Sequence, residues 1–134
     1  MTTITEVRDA MASAIAEGTD LRGLAYQTSS LPHPCAVVTP GAYDPRMVLG
    51  KSKTTFTFRV SVVVGPVAEI QAQKRCDSLR EPSGANSLVA AIEDGDLWSI
   101  TVDYASVLNV GEVGEVTTAD ETLLAFELEV EVVW

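Results

Sequence analysis

The chain has one histidine, two cysteines and no lysine or arginine after Arg80. Each shortage removes a class of function. A Cys-His nucleophilic pair needs an imidazole within hydrogen-bond reach of a thiolate, and only His33 and Cys35, flanking Pro34, stand close in sequence. A zinc site needs ligands paired at short spacing, which His33, Cys35 and Cys76 do not offer, so neither metal nor cofactor is expected. Two cysteines make no disulfide framework, and an intracellular chain keeps them as reduced thiols. Long apolar runs are missing too. The longest uncharged stretch, 23–43, holds Pro32, Pro34 and Pro40 among many polar residues, so no membrane helix is expected. Glu6, Arg8 and Asp9 stand where a secretory signal would need a basic start and an unbroken apolar run.

What is present fits a single α+β domain spanning 1–134. At 134 residues, 46% hydrophobic and 21% charged, the chain is large enough to bury a core without staples. Its net charge of −10 is unevenly spread: 46–80 carries seven Lys/Arg against two acids, whereas 81–134 carries twelve acids and no base. So modest a basic stretch disfavours nucleic acid as the main ligand, and the split favours pairing between segments or between copies.

The start reads as a helix, with Thr3 as N-cap, Glu6 completing a capping box, Ile4, Val7, Met11, Ala14 and Ile15 as its stripe, and Gly18 at its end. "CAVVTPG" is a short strand, followed by a long polar loop from Thr39 to Lys53. "TTFTFRVSVVVG" alternates, with Phe56, Phe58, Val60, Val62 and Val64 on one side and Thr55, Thr57, Arg59 and Ser61 on the other. Pro66 then opens a helix reaching Leu79, and Ser83 caps a second that ends at Gly95. Strand periodicity returns in "LWSITVDYASV", with Trp98, Ile100, Val102 and Tyr104 inward and Ser99, Thr101 and Asp103 outward; a turn-rich piece follows, then the closing strand "LLAFELEVEVVW". This order predicts a mostly antiparallel sheet of about four strands with helices on one face and the other face open.

The closing strand sets the functional question. Phe126, Leu128, Val130, Val132 and Trp134 share one side, and Glu127, Glu129 and Glu131 share the other, about 7 Å apart from the rise per residue. Carboxylates that do acid-base work sit in unequal environments that split their pKa values, and three equivalent positions do not provide this. "VGEVGEV" lacks the lysine and following helix of a phosphate loop. The chain is therefore not expected to be an enzyme. Trp134 continues the apolar parity and, as a terminal aromatic, is also a candidate subunit contact.

The element order and the phrases "PHPCAVVTPGAYDP", "FTFRVSVVVG", "GANSLVAAIEDGDLW" and "VGEVTTADETLLAFELEVEV" together resemble the tail terminator or tail-completion proteins of the neck of long-tailed, siphovirus-type actinobacterial phages. The resemblance runs from the first helix to the final strand. It implies a virion structural protein made in the host cytoplasm, without active site or cofactor. Such a protein forms a hexameric ring that caps the tail tube protein, ends tail polymerisation and joins the tail to the head-closure or connector protein. DNA passes through the lumen without specific binding, and no membrane is involved. Glu127, Glu129 and Glu131 become candidate lumen residues, and Arg46, Lys51, Lys53 and Arg59, with Trp134, candidate subunit-interface residues. The competing pairing for Arg59 is within one copy, for instance with Asp103. The alternatives are another neck component, such as a head-closure or connector adaptor, or a small α+β ligand-binding module or enzyme.

Overall fold

A computed structural model describes residues 2–26, 33–41, 55–118 and 120–134. The fold is α+β, with three α-helices and a mixed sheet of six strands. The first helix, α1 (Ile4–Gly18), starts where Thr3 Oγ1 accepts the Glu6 N–H at 3.2 Å, as a capping box requires. Its buried stripe of Val7, Ala10, Met11, Ala14 and Ile15 faces the sheet. Gly18 is not a left-handed cap, because the chain leaves the helix through an extended Thr19. It is small for packing reasons: a Cβ there would lie 2.5 Å from the Ala91 Cβ.

Two short strands come next: β1 (Arg22–Leu24) and β2 (Cys35–Pro40), paired in parallel. β3 (Thr55–Pro66) runs antiparallel to β2 and, along its whole length, to the last strand, β6 (Thr122–Val133). The helix α2 (Ile70–Arg80) begins later than its proline suggests, since Pro66 still pairs with Leu123 and the Val67 N–H bonds the Thr122 carbonyl at 3.0 Å. Ser87, not Ser83, caps α3 (Leu88–Glu93): its hydroxyl accepts the Ala90 N–H and donates to the Glu81 carbonyl, which satisfies a side chain only 1% exposed.

The stretch after α3 corrects the expected strand. Gly95–Leu97 form one 3₁₀ turn, Trp98 is buried with its indole N–H on the Ile92 carbonyl at 2.8 Å, and β4 (Tyr104–Val110) starts only at Tyr104. Tyr104 is 46% exposed rather than inward, whereas Trp98, Ile100 and Val102 pack on the core as the alternation places them. The turn-rich piece holds a strand of its own, β5 (Gly114–Thr117), closed onto β6 through a tight turn in which the Thr118 N–H reaches the Glu121 carbonyl at 2.8 Å. The sheet order is β1-β2-β3-β6-β4, with β5 pairing the other end of β6 on the β4 side. β1 and β5 are the two strands that a four-strand reading misses.

The core lies between the helices and the even-numbered residues of β3 and β6: Phe56, Phe58, Val60 and Val62 against Phe126, Leu128, Val130 and Val132. Trp134 joins it from the C-terminus, with its ring centroid 6.2 Å from Phe56 and 6.4 Å from Phe58 and its indole N–H on the Thr2 carbonyl at 3.0 Å. Among the described residues no helix is long and apolar enough to cross a membrane.

One close approach positions α1. A Cβ on Gly23 would lie 1.9 Å from the Ala12 carbonyl oxygen, so the backbone of β1 rests directly on that of α1. Backbone cannot rotate away as a side chain can. Gly23→Ala is therefore expected to cost at least about 1–3 kcal/mol through overpacking, read from the midpoint of urea unfolding; an unchanged midpoint would mean that α1 does not seat on β1 in this way.

Candidate functional site: the uncovered sheet face

Because strand side chains alternate, the odd-numbered residues of β6 point away from the helices. The β3–β6 register sets Thr57 opposite Glu131, Arg59 opposite Glu129 and Ser61 opposite Glu127. On the other flank of β6, Ser106 pairs with Glu131 and Asn109 with Glu129, while Thr39 of β2 flanks Arg59. The three glutamates thus form the midline of a polar strip bordered by hydroxyls, an amide and one guanidinium. Neither Thr101 nor Asp103, expected on this face, lies on a strand; the Asp103 N–H bonds Val133, at the far end of β6 from Glu127.

The electrostatics of the strip are those of a wet surface. Arg59 Nε lies 3.6 Å from Glu127 Oε2 with both side chains more than half exposed, a pair worth about 0–1 kcal/mol. Arg59 therefore bonds diagonally to the neighbouring glutamate rather than to its register partner. One cation against three carboxylates leaves the strip acidic. Glu131 is the most sheltered of the three and accepts the Tyr104 hydroxyl at 2.6 Å. That hydrogen bond to a carboxylate, with some desolvation and the adjacent negative charge, holds the phenol above its ordinary pKa.

Further along, the same face changes character. Cys35, Val63 and Leu123 form a second apolar cluster, with Leu24 and Ala125 packed against it. Ordinary alternation puts Val63 of β3 on this face, between Val62 and Val64 on the core side; the register shift against β6 follows, between Val63 and Gly65. Beside the cluster an open groove of about 540 Å³ lies between β6 and β5; Val63, Ala125 and Val116 line it, as do Glu112, Glu115 and Glu127. The sequence reading missed it because it depends on β5.

The residues singled out for chemistry are kept apart. His33 Nε2 meets Glu121 Oε1 at 3.1 Å, tying the start of β2 to the β5–β6 turn, while Cys35 is fully buried. Cys76 is buried under α2. Burial pushes both thiols above their usual pKa, and the nearby Arg22 and Arg80 only partly offset it. Among the described residues no group of three His, Cys, Asp or Glu side chains could hold a metal. Arg46, Lys51 and Lys53 lie outside the described residues.

Two measurements test this geometry. Neither thiol should react with an aromatic disulfide reagent at neutral pH until the chain is unfolded, when both should react; fast labelling of the folded protein would contradict the burial of Cys35 and Cys76. In a spectrophotometric titration, Tyr104 should ionise above the ordinary phenol value. Glu131→Gln should bring it down towards ~10, its ordinary value, with Tyr104→Phe identifying the transition.

Compared with protein-family models and with curated proteins, the chain matches none.

Proposed function

We propose that the chain is a structural protein of a phage neck that assembles as a ring on the end of the tail tube, stops its growth and joins it to the head-closure or connector protein. The observation that carries this reading is the acidic strip: three glutamates on the midline of a sheet face that the helices leave uncovered. Polar sheet faces are common, but one centred on β6, the most fully paired strand, is held rigid by neighbours on both sides. A rigid carboxylate wall suits a conduit for DNA, because it repels phosphates and gives the duplex nothing to grip. In this reading Glu127, Glu129 and Glu131 line the lumen, six copies close the ring, and no step requires a catalytic group.

Charge supplies the second support. A chain with seven of its nine bases between 46 and 80 and no base beyond can pair one segment with the other on the next copy, and such head-to-tail contacts close into rings. A ligand-binding module is the competing reading, favoured by the groove beside β5; its rim is acidic and it is open to solvent.

Light scattering after size exclusion, run across concentration and salt, decides between them. A closed oligomer whose mass falls as salt rises is the expected result, since exposed charge pairs are screened within roughly 8 Å at physiological ionic strength. A chain that stays monomeric in every condition and forms no ring on purified tail tubes would overturn the reading.

A further inference from the structure

The groove between β6 and β5 combines an apolar floor with an acidic rim. Val63 and Ala125 lie on the floor with Val116, which is 44% exposed, and Glu112, Glu115 and Glu127 line the same space. Glu127 is already engaged by Arg59. Glu112 and Glu115 have no ionic partner among the described residues. A complementary occupant must carry cations on an apolar segment.

The chain contains such a segment. Residues 42–54, AYDPRMVLGKSKT, hold Tyr43, Met47, Val48 and Leu49 beside Arg46, Lys51 and Lys53, with Asp44 as the only acid. Three of the nine Lys/Arg lie in these thirteen residues. Most of the others are committed: Arg8 to the Ala25 and Val38 carbonyls, Arg75 to Asp20, Arg80 to the Gly111 carbonyl and Arg59 to Glu127.

Reach decides which copy can supply it. The segment is bracketed by Gly41, bonded to the Thr57 carbonyl, and by Thr55; Val63 lies six residues beyond Thr57 and eight beyond Thr55 along β3. At ~3.3 Å per residue the groove is about 20–26 Å from the two ends of the segment, with roughly 10 Å more to cross β6 towards β5. Going out and back would take more than about 40 Å, and thirteen extended residues span at most ~43–47 Å. A chain's own segment could bring only its middle to the rim, never Arg46 and Lys53 together. A neighbouring copy is not tethered in this way.

We propose that the groove lined by Val63, Val116, Glu112 and Glu115 receives residues 42–54 of a second copy, a head-to-tail contact that repeats around the ring. This inference rests on the ring reading and specifies the contact that builds it. Apolar burial of Met47, Val48 and Leu49 on the groove floor supplies affinity, and the rim fixes direction by pairing with Lys51 and Lys53.

The test uses the full-length protein in three forms and a labelled synthetic peptide of residues 42–54. The peptide should bind dilute wild-type chain in fluorescence anisotropy, more weakly as salt rises. In excess it should lower the mass of the oligomer. Glu112→Lys with Glu115→Lys, both exposed positions, should weaken peptide binding by roughly tenfold or more and lower the oligomer mass. Combining those changes with Lys51→Glu and Lys53→Glu should restore it. Should the reversed groove fail to fold, a peptide carrying the two Lys→Glu changes, tested on wild-type chain, gives the same discrimination. If the Glu112→Lys, Glu115→Lys chain keeps the wild-type mass across salt, the groove proposal is wrong and the ring stands. Equal binding of a scrambled peptide would overturn the choice of segment, making the groove a general site for basic peptides. Neither peptide binding nor an oligomer, in solution or on purified tail tubes, would overturn both readings.

Discussion

Everything in this molecule depends on the register of β6 against β3. Because strand side chains alternate, that register places Phe126, Leu128, Val130 and Val132 in the core and Glu127, Glu129 and Glu131 in water. A slip of one residue would reverse them. Burying an unpaired carboxylate costs several kcal/mol, so burying three exceeds the roughly 5–15 kcal/mol by which a domain of this kind is stable. The glutamate row is therefore a folding device whatever else it does: it makes every odd register of the longest strand pair unaffordable. An acidic lumen uses a pattern that the fold needs in any case.

The uncovered face has two ends with different physics. Around Arg59, Glu129 and Asn109 it is polar, and its pairs are too exposed to contribute much stability. Towards its other end it turns apolar, with Cys35, Val63 and Leu123 buried on the side away from the helices. Residue type makes the difference, since the same alternation that presents Arg59 and Ser61 on this face presents Val63 there. A face that is wet at one end and apolar at the other offers two kinds of contact, repulsion of a polyanion along the strip and adhesion of a chain segment in the groove. They sit side by side because both are read off β6 and its neighbours.

How much of this was legible depends on whether the signal was periodic or positional. The long alternating runs of β3 and β6 and the capped stripe of α1 could be read directly, because a period of two or of 3.6 repeats over enough residues to outweigh local exceptions. The same parity placed Arg59 and the three glutamates on one face. Shorter elements failed for physical reasons. β1 has three residues and is held by the approach of Gly23 to α1, while β5 is built from "GEVT", whose glycine and glutamate suggest a turn until β6 is there to pair with. "LWSITVDY" alternates over its whole length, yet only its last residue lies on a strand, because Trp98 is drawn into the core by its bond to Ile92. Arg59 bonds diagonally to Glu127 rather than to Asp103, a choice set by register, which no single segment reveals. The groove needs β5 and β6 together, so it had no sequence signature at all.

The weakness of exposed charge pairs bears on how such a ring would form. A contact made of two or three screened pairs and a few buried aliphatic side chains is marginal between two free copies, which must give up translational freedom to meet. Closing a ring changes the balance. The last contact joins surfaces already held at high effective concentration, so it adds stability with little further loss of freedom. Intermediate sizes are then poorly populated, and assembly has a threshold that a template of matching symmetry lowers. In the ring reading such contacts would close the ring in free solution only at sufficient concentration and low salt, and the end of a tube that gathers copies would let it close below that threshold.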